Sequence, residues 1–106
     1  MRGRQNKHID GTREFQQNSE KMQRESPGSR PSILEVDAQA LIDKYKGTGN
    51  IIPPNAGSNY PREIVRADNS IGKSWVKSLQ KYVETDTFTI VYSSSGAHIF
   101  PIGRRN

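Results

Sequence analysis

The sequence predicts an α+β domain in which N-terminal helices pack on a twisted antiparallel sheet. Helix formers and helix caps are concentrated before residue 47, whereas β-branched and aromatic residues dominate after residue 62. The final segment also alternates between two faces, as a half-buried strand does. A chain of 106 residues is the length of one domain, which we expect to cover residues 1–106 with residues 1–6 as a linker.

A first helix is expected over residues 13–25. Thr12 can cap its N-terminus, most of the following residues are good helix formers, and the Pro and Gly after Ser26 end it. Phe15 and Met22 lie seven residues apart on one face, so this helix has only a narrow apolar stripe.

A second helix is expected after Asp37, which can cap its N-terminus. Gly47 occupies the position of a C-terminal glycine cap, and the Gly-Thr-Gly segment there lacks the spacing of a phosphate-binding loop. We therefore interpret that segment as a cap and turn. The apolar side chains at helical spacing are Ala38, Leu41, Ile42 and Tyr45.

The middle of the chain predicts a loop followed by strands. Residues 48–61 contain adjacent prolines and two glycines, so we expect them to be irregular. Apolar residues from Ile64 to Leu79 then favour two strands joined near residues 67–70. Residues 77–84 have a composition that also fits a helix.

The end of the chain predicts a β-hairpin. Residues 87–92 alternate between two faces, and a serine-rich turn ending at Gly96 reverses the chain. This hairpin places His98 on the returning strand, opposite Val91 or Tyr92.

The composition limits the possible functions. A formal net charge of +5 with 31% hydrophobic residues indicates a soluble basic domain whose partner is nucleic acid, unless the charge only aids solubility. The absence of cysteine excludes a disulfide framework and a thiol nucleophile. Because no apolar run approaches the roughly 20 residues that span a bilayer, no membrane segment is expected.

Three segments carry a resemblance to a known family: KHIDGT from Lys7, the helix running into YKGTG, and IVYSSSGAHIFP ending at Pro101. Their order and spacing resemble the polymorphic toxin type 50 domain. That family opens with Lys-His-Ile, a variable residue and Gly-Thr, and closes with Tyr-Ser, a turn, Gly-Ala-His-Ile, a variable residue and Pro. The resemblance covers Lys7 to Pro101, although the PPNAGSNYP and WVKSLQKYVE segments depart from it.

The resemblance implies a C-terminal domain of contact-dependent growth inhibition proteins and other bacterial toxins. It also implies the ribonuclease fold shared by barnase, EndoU, colicin and RelE, in which N-terminal helices accompany a twisted antiparallel sheet. We therefore expect an RNA-cleaving toxin, foremost a tRNA endonuclease. Delivery as part of a larger protein, action in the target bacterial cytoplasm and neutralisation by an immunity protein follow from the same resemblance.

The two histidines, His8 and His98, are the candidate base and acid for cleaving RNA without a metal. This reaction removes the 2′-hydroxyl proton, protonates the leaving 5′-oxygen and stabilises extra negative charge on the phosphoryl group. The residue pattern does not assign the two roles. The alternatives are that His8 is a solvated residue before the first helix, and that His98 is structural and bonded to a neighbouring hydroxyl.

Cations and hydroxyls complete the predicted site. Lys7, Lys73 or an arginine can supply the positive charge, and Thr89 and Ser93 are the favoured hydroxyl donors to the scissile phosphate, although strands also carry Thr for its propensity. The predicted RNA contacts are Lys46, Arg62, Arg66, Lys73 and Tyr92. Each of these residues can instead have a purely structural role. Tyr92 can be a buried ring, and the basic residues can be charges scattered over a solvated surface.

The acidic residues form no metal-ligand pattern, so neither a metal nor another cofactor is expected. The sequence therefore predicts a metal-independent endoribonuclease that leaves a 2′,3′-cyclic phosphate. The alternatives are a non-catalytic nucleic-acid-binding module and, with less support, a DNase toxin. The immunity partner is expected to be acidic where it meets this basic surface.

Overall fold

The structure, a computed structural model, describes residues 5–54, 60–94 and 96–103. Helix α1 spans Arg13–Glu25 and helix α2 spans Ala38–Tyr45. The α+β class predicted from the sequence is confirmed. The strands are β1 (Ile33–Leu34), β2 (Asn50–Ile52), β3 (Arg62–Arg66), β4 (Gly72–Val76), β5 (Lys81–Thr85), β6 (Thr87–Ser93) and β7 (Gly96–Pro101).

Both helices begin and end where the local sequence predicts. The Thr12 hydroxyl accepts a hydrogen bond from the Phe15 N–H, and the Asp37 carboxylate accepts one from the Ala40 N–H. Gly47 follows α2 with a φ of +84°, a conformation that glycine adopts without a Cβ clash. Helix α1 has no fully buried residue, in agreement with its narrow apolar stripe.

A four-stranded antiparallel sheet has the order β2-β3-β6-β7. The predicted terminal hairpin is confirmed, and Val91 of β6 lies directly opposite His98 of β7. Helix α2 packs on one side of this sheet, where the Tyr45 ring meets the Phe88 ring edge-on with 6.0 Å between centroids. We call this side the inner face, and its buried side chains are Glu63, Val65, Phe88, Ile90, Ile99 and Pro101.

The other side of the four-stranded sheet is the histidine face. Because side chains alternate along a strand, the residues between those of the inner face belong to it. They form two cross-strand rows at the centre of the sheet. The first row is Arg62, Val91 and His98, and the second is Ile64, Thr89 and Phe100.

The predicted single sheet is divided into two. A three-stranded sheet has the order β1-β4-β5, and only Asp86 separates β5 from β6, so one extended segment passes from one sheet to the other. Opposite this point, the Ala67 N–H donates to the Asp86 carbonyl and the Ile71 N–H donates to the Thr85 carbonyl. Five residues, 67–71, thus oppose one residue, and a bulge of this kind bends a sheet.

In the middle of the chain, the prediction that residues 48–61 are irregular was wrong, and the helical alternative for residues 77–84 is excluded. Residues 48–61 include strand β2, which forms because Gly49 brings its backbone against the carbonyl of Ile64, where a Cβ atom would collide. Residues 77–84 are not helical: a turn at residues 77–80, with Gln80 at a φ of 51°, leads into β5. The two expected strands exist as β3 and β4, but they lie in different sheets.

The N-terminal segment is tied to the edge of the four-stranded sheet. The Gln5 side-chain amide donates to the Ile99 carbonyl at 2.8 Å and accepts from the Ile99 N–H at 2.8 Å. The Asn6 carbonyl accepts from the Thr12 hydroxyl at 2.7 Å. Of the expected linker, residues 1–4 lie outside the described residues, whereas Gln5 and Asn6 are part of the folded domain. Within the described ranges, no helix has the length and apolar character needed to cross a membrane.

Candidate active site

The structure brings His8 to the four-stranded sheet, next to the strand that carries His98. The His8 ring stacks on the ring of Phe100, with 5.3 Å between centroids and 26° between planes. The His8 carbonyl accepts a hydrogen bond from the Leu34 N–H at 2.7 Å, which joins this segment to β1. Since Phe100 and His98 are two residues apart on one face of β7, their Cα atoms lie about 7 Å apart.

The imidazole of His8 has a defined hydrogen-bond partner. Its Nδ1 atom lies 3.1 Å from both the carbonyl oxygen and the hydroxyl oxygen of Ser32. A carbonyl oxygen can only accept, so the contact with it places the proton of the neutral ring on Nδ1 and the lone pair on Nε2. The Nε2 atom is therefore the one equipped to take a proton.

The same surroundings favour the neutral form of His8. Burial lowers the pKa of His8 below its ordinary value of 6.5, and the charge of Lys7 lowers it further. The hydrogen bond to the Ser32 carbonyl opposes this shift but does not cancel it. His8 is consequently unprotonated at neutral pH, with exposed Lys7 beside it in the chain.

Thr89 lies at the centre of the histidine face. Phe100 is directly opposite it across the β6–β7 pair, and His98 and Arg62 are its diagonal neighbours on the two flanking strands. Diagonal neighbours have Cα atoms about 7–8 Å apart, within reach of long side chains. The face therefore gathers two histidines, a guanidinium and a hydroxyl, all from the predicted set.

The two predicted hydroxyls, of Ser93 and Thr89, and that of Thr87 on the same strand differ in their hydrogen bonds. The Ser93 hydroxyl donates to the Gly96 carbonyl at 3.0 Å and so closes the β6–β7 turn. The Thr87 hydroxyl donates to the Asp86 carboxylate at 2.9 Å. The residue Thr89 is only 5% exposed, and within the described residues its hydroxyl makes no hydrogen bond. Of these three hydroxyls, that of Thr89 is thus the one not already engaged in a hydrogen bond, although the residue itself is nearly buried.

Three other predicted RNA contacts lie elsewhere. Lys46 and Tyr92 line a cavity of about 380 Å³ where α2 meets the β6–β7 hairpin, away from the two histidines. Ser93 lines the same cavity. Lys73 lies on β4 in the three-stranded sheet, with its ammonium 3.7 Å from the Glu35 carboxylate. Of the five predicted RNA contacts, the structure places Arg62 and Arg66 on the histidine face.

The Gly-Thr-Gly segment is held by a buried carboxylate. Glu63 is fully buried, and its carboxylate accepts hydrogen bonds from the N–H groups of Gly47 and Gly49 and from the Tyr92 hydroxyl, at 3.1, 2.7 and 2.6 Å. Burial alone raises the pKa of Glu63, but these hydrogen bonds reverse the effect and hold the pKa below its ordinary value. These amides already have an anionic partner, in agreement with the interpretation of the segment as a cap and turn.

The family model for bacterial toxin 50 matches residues 1–101. The chain belongs to the bacterial toxin 50 family. No curated protein and no solved structure matches it. The toxin domain therefore contains both histidines within the matched region, together with Arg62 and Thr89 between them.

Several residues of this candidate site were missed by sequence reasoning. Phe100 shares a face with His98 by the period of two in AHIFP, which was the available signal. Ser32 and Asp86 act through contacts between distant segments, for which the sequence has no local signal. In the described part of the chain, no group of three or more acidic or histidine side chains is placed to hold a metal ion.

Proposed function

We propose that this toxin domain is an endoribonuclease that cleaves RNA by metal-independent transesterification, leaving a 2′,3′-cyclic phosphate. The observation that carries the proposal is the meeting of His8, which precedes α1, with the strand of His98 on one face of the sheet. The family supports a toxin activity, and the basic charge of the domain fits a polyanionic substrate. We propose tRNA as the foremost RNA substrate.

We assign His8 as the general base. Its Nδ1 atom is engaged by Ser32, so Nε2 carries the lone pair, and its lowered pKa keeps the ring neutral at physiological pH. In the first step, Nε2 takes the proton from the 2′-hydroxyl as the 2′-oxygen attacks phosphorus. Phe100 orients the ring for this transfer by stacking against it.

His98 is then the general acid. As the bond between phosphorus and the 5′-oxygen breaks, the imidazolium of His98 donates a proton to that oxygen, which completes the proton balance. The Arg62 guanidinium and the Thr89 hydroxyl stabilise the charge that develops on the phosphoryl oxygens. Arg62 lies in the same cross-strand row as His98, and Thr89 is a diagonal neighbour of both residues. Lys7 adds positive charge beside His8, and Ser93 supports the turn at the end of β6.

The same proposal includes an immunity protein as the partner of the toxin and delivery into a target bacterium. An immunity protein that blocks the site must cover the histidine face, where Arg62 and Arg66 favour an acidic contact surface. Delivery as part of a larger toxin, with action in the target bacterial cytoplasm, is the setting that the family suggests.

The decisive experiment incubates purified domain with bacterial total RNA and with tRNA in EDTA, beside His8→Ala and His98→Ala. We expect discrete fragments from the unaltered domain, with 2′,3′-cyclic phosphate ends, and a loss of at least about 100-fold in rate for either variant. The matched control is Lys21→Ala, an exposed change on α1 that we expect to leave cleavage unchanged. RNA that is bound but remains intact in every lane contradicts the proposal and favours a binding module.

A further inference from the structure

A cavity of about 400 Å³ lies beside the proposed catalytic residues and takes no part in the steps above. Its lining residues include Gly49, Asn50, Ile64, Arg66 and Thr87. Asn50 pairs with Ile64, and Arg66 pairs with Thr87, so these four side chains belong to the histidine face. The volume is within the range of about 300–1,000 Å³ typical of ligand sites.

The position of the cavity fits a neighbouring nucleotide. Thr87 and Thr89 are two residues apart on the same face of β6, which places their Cα atoms about 7 Å apart. A strand of RNA whose scissile phosphate lies at Thr89 therefore carries the adjacent nucleotide to the cavity. This inference rests on the proposed function, because the position of the phosphate is part of that proposal.

Two polar side chains of the cavity, those of Arg66 and Thr87, are held in place by Asp86. The Asp86 carboxylate accepts a hydrogen bond from the Arg66 Nε–H at 3.3 Å through one oxygen and from the Thr87 hydroxyl at 2.9 Å through the other. Among the described contacts, this leaves the two terminal amino groups of Arg66 for a ligand, and its side chain is 52% exposed. A guanidinium fixed at Nε is oriented before the ligand arrives, which reduces the entropy lost on binding.

The chemistry of the lining favours a purine. An arginine donates two parallel hydrogen bonds to the O6 and N7 atoms of guanine, and an asparagine amide pairs with the N6 and N7 atoms of adenine. Arg66 and Asn50 carry these two groups in the lining, on the same face of the sheet as the apolar side chain of Ile64. The geometry points to a purine-binding subsite for the nucleotide adjacent to the scissile phosphate, built from Asn50, Ile64, Arg66 and Thr87.

The first test reads the sequence at the cut. RNA oligonucleotides randomised around one cleavage position are digested, and both ends of the fragments are sequenced. We expect a purine preference of about tenfold or more on one side of the cut, and loss of that preference in Asn50→Ala and in Arg66→Lys. Arg66→Lys retains the charge without the paired donors, so a preference that survives it contradicts purine recognition by Arg66. Lys21→Ala is the control for an unrelated surface charge.

The second test does not depend on cleavage. The His8→Ala variant is titrated with the 5′-monophosphates of adenosine, guanosine, cytidine and uridine and monitored by amide NMR. We expect the purine nucleotides to bind at least about fivefold more tightly than the pyrimidine nucleotides and to shift the amides of Gly49, Asn50 and Thr87. Equal effects of all four nucleotides, or shifts at other residues only, overturn the subsite. Purine-specific shifts, together with a failure of the unaltered domain to cleave RNA, support the subsite and contradict the proposed function instead.

Discussion

The imidazole of His8 lies nearly parallel to the ring of Phe100, with 5.3 Å between their centroids. His8 precedes the first helix and Phe100 lies on the last strand, so this contact joins the two ends of the described domain. It also fixes His8 from one side while Ser32 holds its Nδ1 atom. The candidate base is thereby restrained both by packing and by a hydrogen bond, and each restraint can be removed separately.

Replacing Phe100 with Leu tests the packing restraint. We expect the rate of RNA cleavage to fall between about 10-fold and 100-fold, because a base displaced by about 1 Å transfers protons much less efficiently. RNA affinity is expected to change little, and the NMR-monitored pKa of His8 is expected to move from its lowered value toward 6.5 as the ring becomes more solvated. A lower rate with an unchanged pKa of His8 contradicts the prediction that Phe100 shields the His8 ring from solvent.

The lowered pKa of His8 predicts a pH dependence of stability. Below pH 6.5 the unfolded chain binds a proton at His8 before the folded domain does, so the free energy of unfolding decreases as the pH falls. The decrease stops growing once the pH is below the folded-state pKa. Denaturant unfolding between about pH 5.5 and 7.5 measures this slope, above the range in which most carboxyls titrate.

His8→Asn isolates the contribution of His8. We expect the slope of stability against pH to be smaller in this variant than in the unaltered domain, since the variant lacks the imidazole whose pKa folding lowers. The same slope in both proteins shows that folding leaves the proton affinity of His8 unchanged.

The local signals in the sequence were sufficient for the helices and the terminal hairpin. Thr12, Asp37 and Gly47 act within one helical turn, and the alternation in residues 87–92 sets the two faces of β6 without help from distant residues. Strand β2 could not be predicted in this way, because it forms only when Gly49 allows close approach to β3. Strand β5 likewise depends on pairing with β4, which outweighs the helix-compatible composition of residues 77–84.

The candidate site likewise contains residues that local sequence signals identified and residues that only the folded structure identifies. His8 and His98 could be named from their chemistry, and the predicted hairpin placed His98 opposite Val91 or Tyr92, of which the structure selects Val91. The sequence could not separate Arg62 from Lys46, because both are basic residues near loops. The alternation of side chains along β3 places Arg62 on the histidine face, whereas the position of α2 places Lys46 beside the hairpin. Only the folded structure defines these two positions.

Glu63 is expected to contribute strongly to stability through its three hydrogen bonds. Glu63→Gln keeps the shape of the side chain but removes the charge and gives one amide group no acceptor, so we expect a loss of about 2–3 kcal/mol in the free energy of unfolding. Because the folded-state pKa of Glu63 is lowered, its contribution is present above the unfolded value of 4.5 and is lost as the pH falls through the folded value. Chemical denaturation at neutral pH measures the loss.

A double-mutant cycle with Tyr92→Phe tests whether the 2.6 Å hydrogen bond between Tyr92 and Glu63 accounts for part of that stability. We expect the two changes together to cost less than the sum of the single changes. Spectrophotometric titration gives a second measurement, since burial and the Glu63 carboxylate raise the pKa of Tyr92 to about 12. A phenol at this position that ionises near pH 10 contradicts the contact.

The salt dependence of RNA binding distinguishes the histidine face from the rest of the basic surface. Each contact with a phosphate of a single strand contributes about 0.7 to the slope of log affinity against log salt concentration. In an inactive His8→Ala background, we expect Arg62→Ala to reduce this slope by about 0.7, because Arg62 lies in the central row with His98. Lys46→Ala is expected to leave it unchanged, since Lys46 lies where α2 meets the hairpin. Fluorescence anisotropy at several salt concentrations measures both slopes, and a larger effect of Lys46 than of Arg62 places the RNA on the helix side of the sheet.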